Sequence, residues 1–247
     1  MPVVTTSVPR ELEAVDAVFA AEQAVQRARR VVEEFGEVVT SALRVLDDAE
    51  LDSAKSRLSD RGGFYLEAAA EHLGRLQTRC NELPNLATEL DTHLGRAAAA
   101  VDEARARLAD VDTSDPALAA GVEQLQPRVA ILGEVVNLAR PIARLASEHV
   151  ESARQASREV TAPGLLEPQT LERSLRAAGS QLDRADEDVR LLETVVERAA
   201  SQAHESVGIA TEISDNARAR MDAHRDHPGG HPASHSPAAG GLSADTR

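Results

Sequence analysis

Four histidines near the C-terminus offer the first candidate chemistry: His224, His227, His231 and His235 stand three, four and four residues apart. Imidazoles at such spacing can bind Zn²⁺, Ni²⁺ or Cu²⁺, and a flexible segment could wrap an ion. Between them lie Pro228, Gly229, Gly230 and Pro232, which leave the ligands unorganised, and no cysteine or orienting partner stands beside them. The histidines are therefore weak metal candidates in what reads as a solvated polar tail. No metal and no other cofactor is expected.

Other chemistries fare no better. A di-metal site of the ferritin-like kind needs a Glu three residues before a His on each of two helices. Here Ala69, Leu90, Ala146 and Ser201 precede His72, His93, His149 and His204 by three. Cys80, the single cysteine, falls among apolar neighbours at helical spacing, which predicts a buried, inert thiol. The chain has no G-x-S-x-G elbow, no G-x-G-x-x-G turn and no Walker loop, since Ala54 precedes the only lysine, Lys55. Carboxylates are many, but the helical period sets them on solvated faces. An enzyme is not expected.

What must position these side chains is a set of helices. From Leu171 the chain reads Leu175, Ala178, Leu182, Ala185, Val189, Leu192, Val196, Ala199 and Ala203 at alternating steps of four and three, each residue apolar. That period of 3.5 marks a helix laying one seam against others. The same seam recurs from Ala14 to Ala49, from Leu66 to Val111 and from Leu118 to Ala153. With three Phe, one Tyr and no Trp, the core must be built from Ala, Val and Leu, which suits closely packed helices.

The reading is all-α: an elongated up-down-up-down bundle or coiled coil of four long antiparallel helices. The expected spans are about 9–60, 64–112, 116–160 and 168–226, after a flexible N-terminus at 1–8. The Pro/Gly/His-rich residues 227–247 read as a disordered tail. Ser7 and Pro9 can start the first helix, Arg61-Gly62-Gly63 makes the first turn, and Asp115-Pro116 starts the third helix. Pro84 should interrupt the second helix, and Pro127 and Pro141 should bend the third. The third helix also carries a second apolar stripe, Val135, Leu138, Ile142 and Leu145, and its segment from Pro116 to Pro163 has equal numbers of acidic and basic side chains. It is expected to be buried on two sides.

Folding neighbouring helices about their turns predicts one mid-height layer. Pro84 comes level with Arg144 and near Pro141, Gly95 faces Gly133, and Arg140 lies beside Asp186, Glu187 and Asp188. The expectation is a shared bend with interhelical ion pairs, and with it a hinge or partner-binding layer made of Pro84, Arg140, Pro141, Arg144, Asp186, Glu187 and Asp188.

The formal net charge of −14 would repel a phosphate backbone, so no nucleic-acid partner is expected. No run approaches 18 uncharged apolar residues, and Met1 to Ser7 lack a signal-peptide pattern, so the expected location is cytoplasmic. The arginine, alanine and valine bias is of the GC-rich, actinobacterial kind. Function is expected to run through protein partners, with homo-oligomerisation as one form of it. Two alternatives stand beside this. Helices with internal prolines also occur in lipid-binding apolipoproteins, but those carry basic residues at the apolar border, and this chain is acidic. Helical substrates of type VII secretion carry a Trp-x-Gly turn and a Tyr-x-x-x-Asp/Glu signal. This chain has no Trp, and Tyr65 is followed four residues on by Ala69. Membrane contact and signal-less export are therefore the second and third readings.

Overall fold

The computed structural model describes residues 10–158 and 168–226. Four helices account for nearly all of them: α1 (Arg10–Leu58), α2 (Gly62–Ala109), α3 (Pro116–Arg158) and α4 (Pro168–Asp226). Among the described residues there is no strand. The expected N-terminal segment 1–8 with its Ser7 cap, the third turn and the tail 227–247 lie outside the described residues.

Helix starts follow local chemistry. Asp115 caps α3, its carboxylate accepting the backbone N–H of Ala117 at 2.8 Å, and Pro116 follows at the position where a missing N–H costs nothing. Asp112 braces the same connection by accepting the hydroxyl and backbone N–H of Ser114, and both bonds hold its carboxyl below the usual range. The first turn departs from expectation. Gly62 and Gly63 open α2 rather than forming the loop. A Cβ on Gly62 would sit 2.5 Å from the Ser56 carbonyl oxygen, so glycine is required there for space between two helix ends.

The seams close on one another. Every seam residue from Ala14 to Ala49 on α1, from Leu118 to Ala153 on α3 and from Leu171 to Ala203 on α4 is buried. On α2 only Leu66 and Ala87 are partly exposed. Burial on α1 extends one step further than the apolar seam, to Ser53. Each helix packs on two neighbours, α1 on α2 and α4, and α3 on α2 and α4, so the section is a square with α1 diagonal to α3. Ion pairs fix the directions. Arg107 reaches Glu13 at 2.7 Å between α2 and α1, Arg29 reaches Glu197 at 2.9 Å between α1 and α4, and Arg57 pairs with Glu172 at the other end of that seam. Neighbours are antiparallel throughout. At 1.5 Å per residue, α1 is about 74 Å long and α4 about 89 Å.

The prolines do not break the helices: α2 runs unbroken through Pro84, and α3 through Pro127 and Pro141. Each removes one backbone donor, so the carbonyl of Cys80 has no amide four residues on. The core divides at that level. The larger cluster includes Val39, Leu83, Val150 and Ala185, and the smaller one begins with Ala42, Cys80, Ala153 and Leu182. Several of the side chains meeting there are alanine or cysteine, and half-buried Leu43 packs against both clusters.

Candidate functional site

The predicted mid-height layer is not assembled as expected. Between α2 and α3, Gln77 donates to the Ser157 carbonyl at 2.7 Å and Arg105 to the Ala130 carbonyl at 2.7 Å. This register sets Pro84 level with Val150, and Pro141 level with His93. The two prolines are thus about nine residues apart along the axis, on the order of 13 Å. Gly133 faces Val101 and Arg105, both of which a Cβ there would strike at 2.9 Å or less, whereas a Cβ on Gly95 would meet nothing within 4 Å. The cause is the α2–α3 connection. Residues 110–115 climb along the bundle, so α3 begins about nine residues beyond the end of α2.

Between α3 and α4, His149 Nδ1 lies 2.9 Å from an Asp188 oxygen, and Arg128 pairs with Glu205. Asp186, Glu187 and Asp188 therefore stand beside His149, not Arg140. Arg140 lies one heptad from Gly133, on the flank of α3 that meets α2, and is exposed. Asp186 holds Arg190 on its own helix at 2.6 Å. Arg144 lines a shallow groove with Ala87, Thr88, Asp91, Ala143 and Ser147. Pro84 alone falls at the division of the core. Of the terminal histidines, His224 falls in the last turn of α4, while His227, His231 and His235 lie outside the described residues.

Four histidines along the helices each stand near a carboxylate: His72 with Asp52 at 3.6 Å, His93 with Glu89 at 3.5 Å, His149 with Asp188, and the exposed His204 with Glu22 at 3.5 Å. Such pairs tie helix to helix or turn to turn, and none converges with a nucleophile. Among the described residues, no group of three or more His, Cys, Asp or Glu side chains could hold a metal ion. Cys80 is buried, and its thiol is pushed up from 9.0 to about 11 by that burial, against the opposing charge of Arg154.

Large apolar side chains are exposed in two places, beside the α1–α2 turn, where Leu51, Leu58 and Phe64 lie, and on the outside of α3 and α4. Leu138 is 55% exposed, Leu145 47% and Ile131 40%, so α3 is not buried on two sides; of its second stripe only Val135 and Ile142 are covered, in the groove against α4. Leu191 on α4, 51% exposed, lies at the level of Leu145 and continues the patch. Ile131 and Leu191 escaped the sequence reading, although Ile131, Leu138 and Leu145 stand seven apart. Helical phase alone does not tell an uncovered outer stripe from one a fifth helix would cover.

No protein-family model, no curated protein and no solved structure matches this chain.

Proposed function

We propose that this protein is a non-enzymatic helical scaffold or adaptor in the cytoplasm, acting through protein–protein contact, with the α3–α4 face as its docking surface. The observation that carries the reading is that face. Ile131, Leu138, Leu145 and Leu191 stand exposed on a bundle whose seams are otherwise filled. A lone exposed leucine is ordinary. Ile131, Leu138 and Leu145 at heptad spacing, with Leu191 beside them on α4, make a patch of the kind proteins use for contact.

The borders of the patch favour protein over lipid. Glu134 and Glu148 stand on one side and Arg184 and Arg198 on the other, all exposed. A helix lying in a lipid headgroup layer would carry basic residues at both borders. Among the described residues no helix is long and apolar enough to cross a membrane. The test is a photo-crosslinking residue in place of Leu138, in the full chain expressed in its native cell. Discrete protein adducts, absent when the probe replaces exposed Glu67 on α2, are expected. Adducts to lipid alone, or recovery of the chain from the medium, would overturn the reading.

A further inference from the structure

We propose that the α3–α4 face docks against the same face of a second copy of this chain, side by side and parallel, about a two-fold axis running along the bundle. This rests on the reading of that face as a docking surface. The structure supplies both the register and the charge pattern. Three contacts set the levels of α3 against α4: His149 with Asp188, Arg128 with Glu205, and Gly121, where a Cβ would strike Ile213. On the outer side of the Ile131–Leu138–Leu145 stripe, α3 presents Glu134, Pro141 and Glu148, seven residues apart. On its other side, α4 presents Arg184, Leu191 and Arg198, also seven apart. Both triplets read charged, apolar, charged, with opposite signs.

A two-fold along the bundle brings the α3 edge of each copy onto the α4 edge of the other. Glu134 then meets the second copy's Arg198, Pro141 meets its Leu191, and Glu148 meets its Arg184. In all three pairs the axial offset is the same, about three residues or 4.5 Å, which the long Glu and Arg side chains span. Ile131, Leu138 and Leu145 of the two copies meet in register between these edges. An antiparallel pairing would set Glu134 and Glu148 against themselves, so charge selects the parallel arrangement. Glu134, Glu148, Arg184 and Arg198 make no ion pair among the described residues. Charge weighs against self-contact elsewhere, because the chain carries a net −14 and the α3 segment alone among the four helical segments is charge-balanced.

The patch is small. A stripe about 25 Å long and 20 Å wide covers roughly 500 Å² per copy, against about 800 Å² in a standard stable interface. The dimer is accordingly weak, with a dissociation constant on the order of micromolar or higher.

The test is sedimentation equilibrium on the full chain from about 1 µM to 1 mM, which brackets that constant. Three proteins are compared: the wild type, an acid-edge swap (Glu134→Arg with Glu148→Arg) and a base-edge swap (Arg184→Glu with Arg198→Glu). All four positions are exposed on helix surfaces, and circular dichroism checks that each variant folds. The wild-type mass should climb from 26.3 kDa toward twice that value. Each swap alone should weaken the dimer about tenfold or more, because like charges then meet along both edges. Mixing the two swaps one to one should restore it, since both edges become complementary again. A wild type that stays monomeric throughout, or swaps that leave association unchanged, would overturn the proposal. If the wild type is monomeric yet the Leu138 probe still captures a different protein, self-pairing fails and the docking surface stands. If the probe captures nothing, both fail.

Discussion

Alanine at two glycines separates the observed α2–α3 register from one folded about the turn. Gly95 and Gly133 both sit inside helices, where exchange for alanine gains about 1 kcal/mol of helix propensity. Folding symmetrically about Ser114 would make them partners at a close approach, and either alanine would clash. In the structure only Gly133 is crowded. An added Cβ would lie 2.5 Å from an Arg105 guanidinium nitrogen and 2.9 Å from Val101 Cγ1. The guanidinium must move, which breaks its 2.7 Å bond to the Ala130 carbonyl, and Val101 must shift within a filled core. The half-exposed hydrogen bond contributes about 1–2 kcal/mol and overpacking costs about 1–3 kcal/mol. After the propensity gain, Gly133→Ala should lose roughly 1–4 kcal/mol. Gly95→Ala meets nothing within 4 Å and should gain about 0.5–1 kcal/mol, raising the midpoint by about 1–4 °C in a chain of this size. Thermal unfolding followed by circular dichroism reads both. A Gly95→Ala variant as damaged as Gly133→Ala would refute the register.

Two further predictions follow from the level where the core divides. Pro84→Ala returns an amide to the Cys80 carbonyl, and should stabilise the protein by about 1–2 kcal/mol once the more flexible unfolded chain is discounted; a midpoint unchanged or lowered in a melting experiment would mean that the missing amide costs the folded helix nothing. Cys80 binds its proton more tightly folded than unfolded, with the thiol at about 11 against 9.0. Above pH 9 the unfolded chain therefore holds fewer protons than the native one, so stability falls between about pH 9 and 11, by on the order of 2–3 kcal/mol, and is unaffected below. Urea titrations at pH 8, 10 and 11 should show that slope in the wild type and a shallower one in Cys80→Ala; equal slopes would remove the thiol as the cause.

The architecture was legible because burial obeys phase. Eleven consecutive seam positions from Ala14 to Ala49 sit at steps of three and four, and all are buried. The cap at Asp115 and the burial of Cys80 follow from equally local chemistry. Register did not follow, because it depends on how far a connection travels along the axis. Residues 110–115 climb rather than turn on the spot, and that displaces Pro84 from Pro141 and Gly95 from Gly133. The same kind of offset moves the acidic run from Arg140 to His149. The outer stripe on α3 was half legible. Leu138 and Leu145 stand out at heptad spacing, but whether a neighbour covers them is decided by the square packing, which leaves α3 two neighbours and an open flank.

Small-angle X-ray scattering across a concentration series tests the central claim most directly, because the direction in which the particle grows reveals which surface is used. The account predicts that the maximum dimension stays near the length of one bundle, about 90 Å, while the cross-section widens as mass rises toward two copies. A particle that lengthens would place the contact at the bundle ends, and one that remains a single 26.3 kDa rod at every concentration would leave the α3–α4 face without a second copy to meet it.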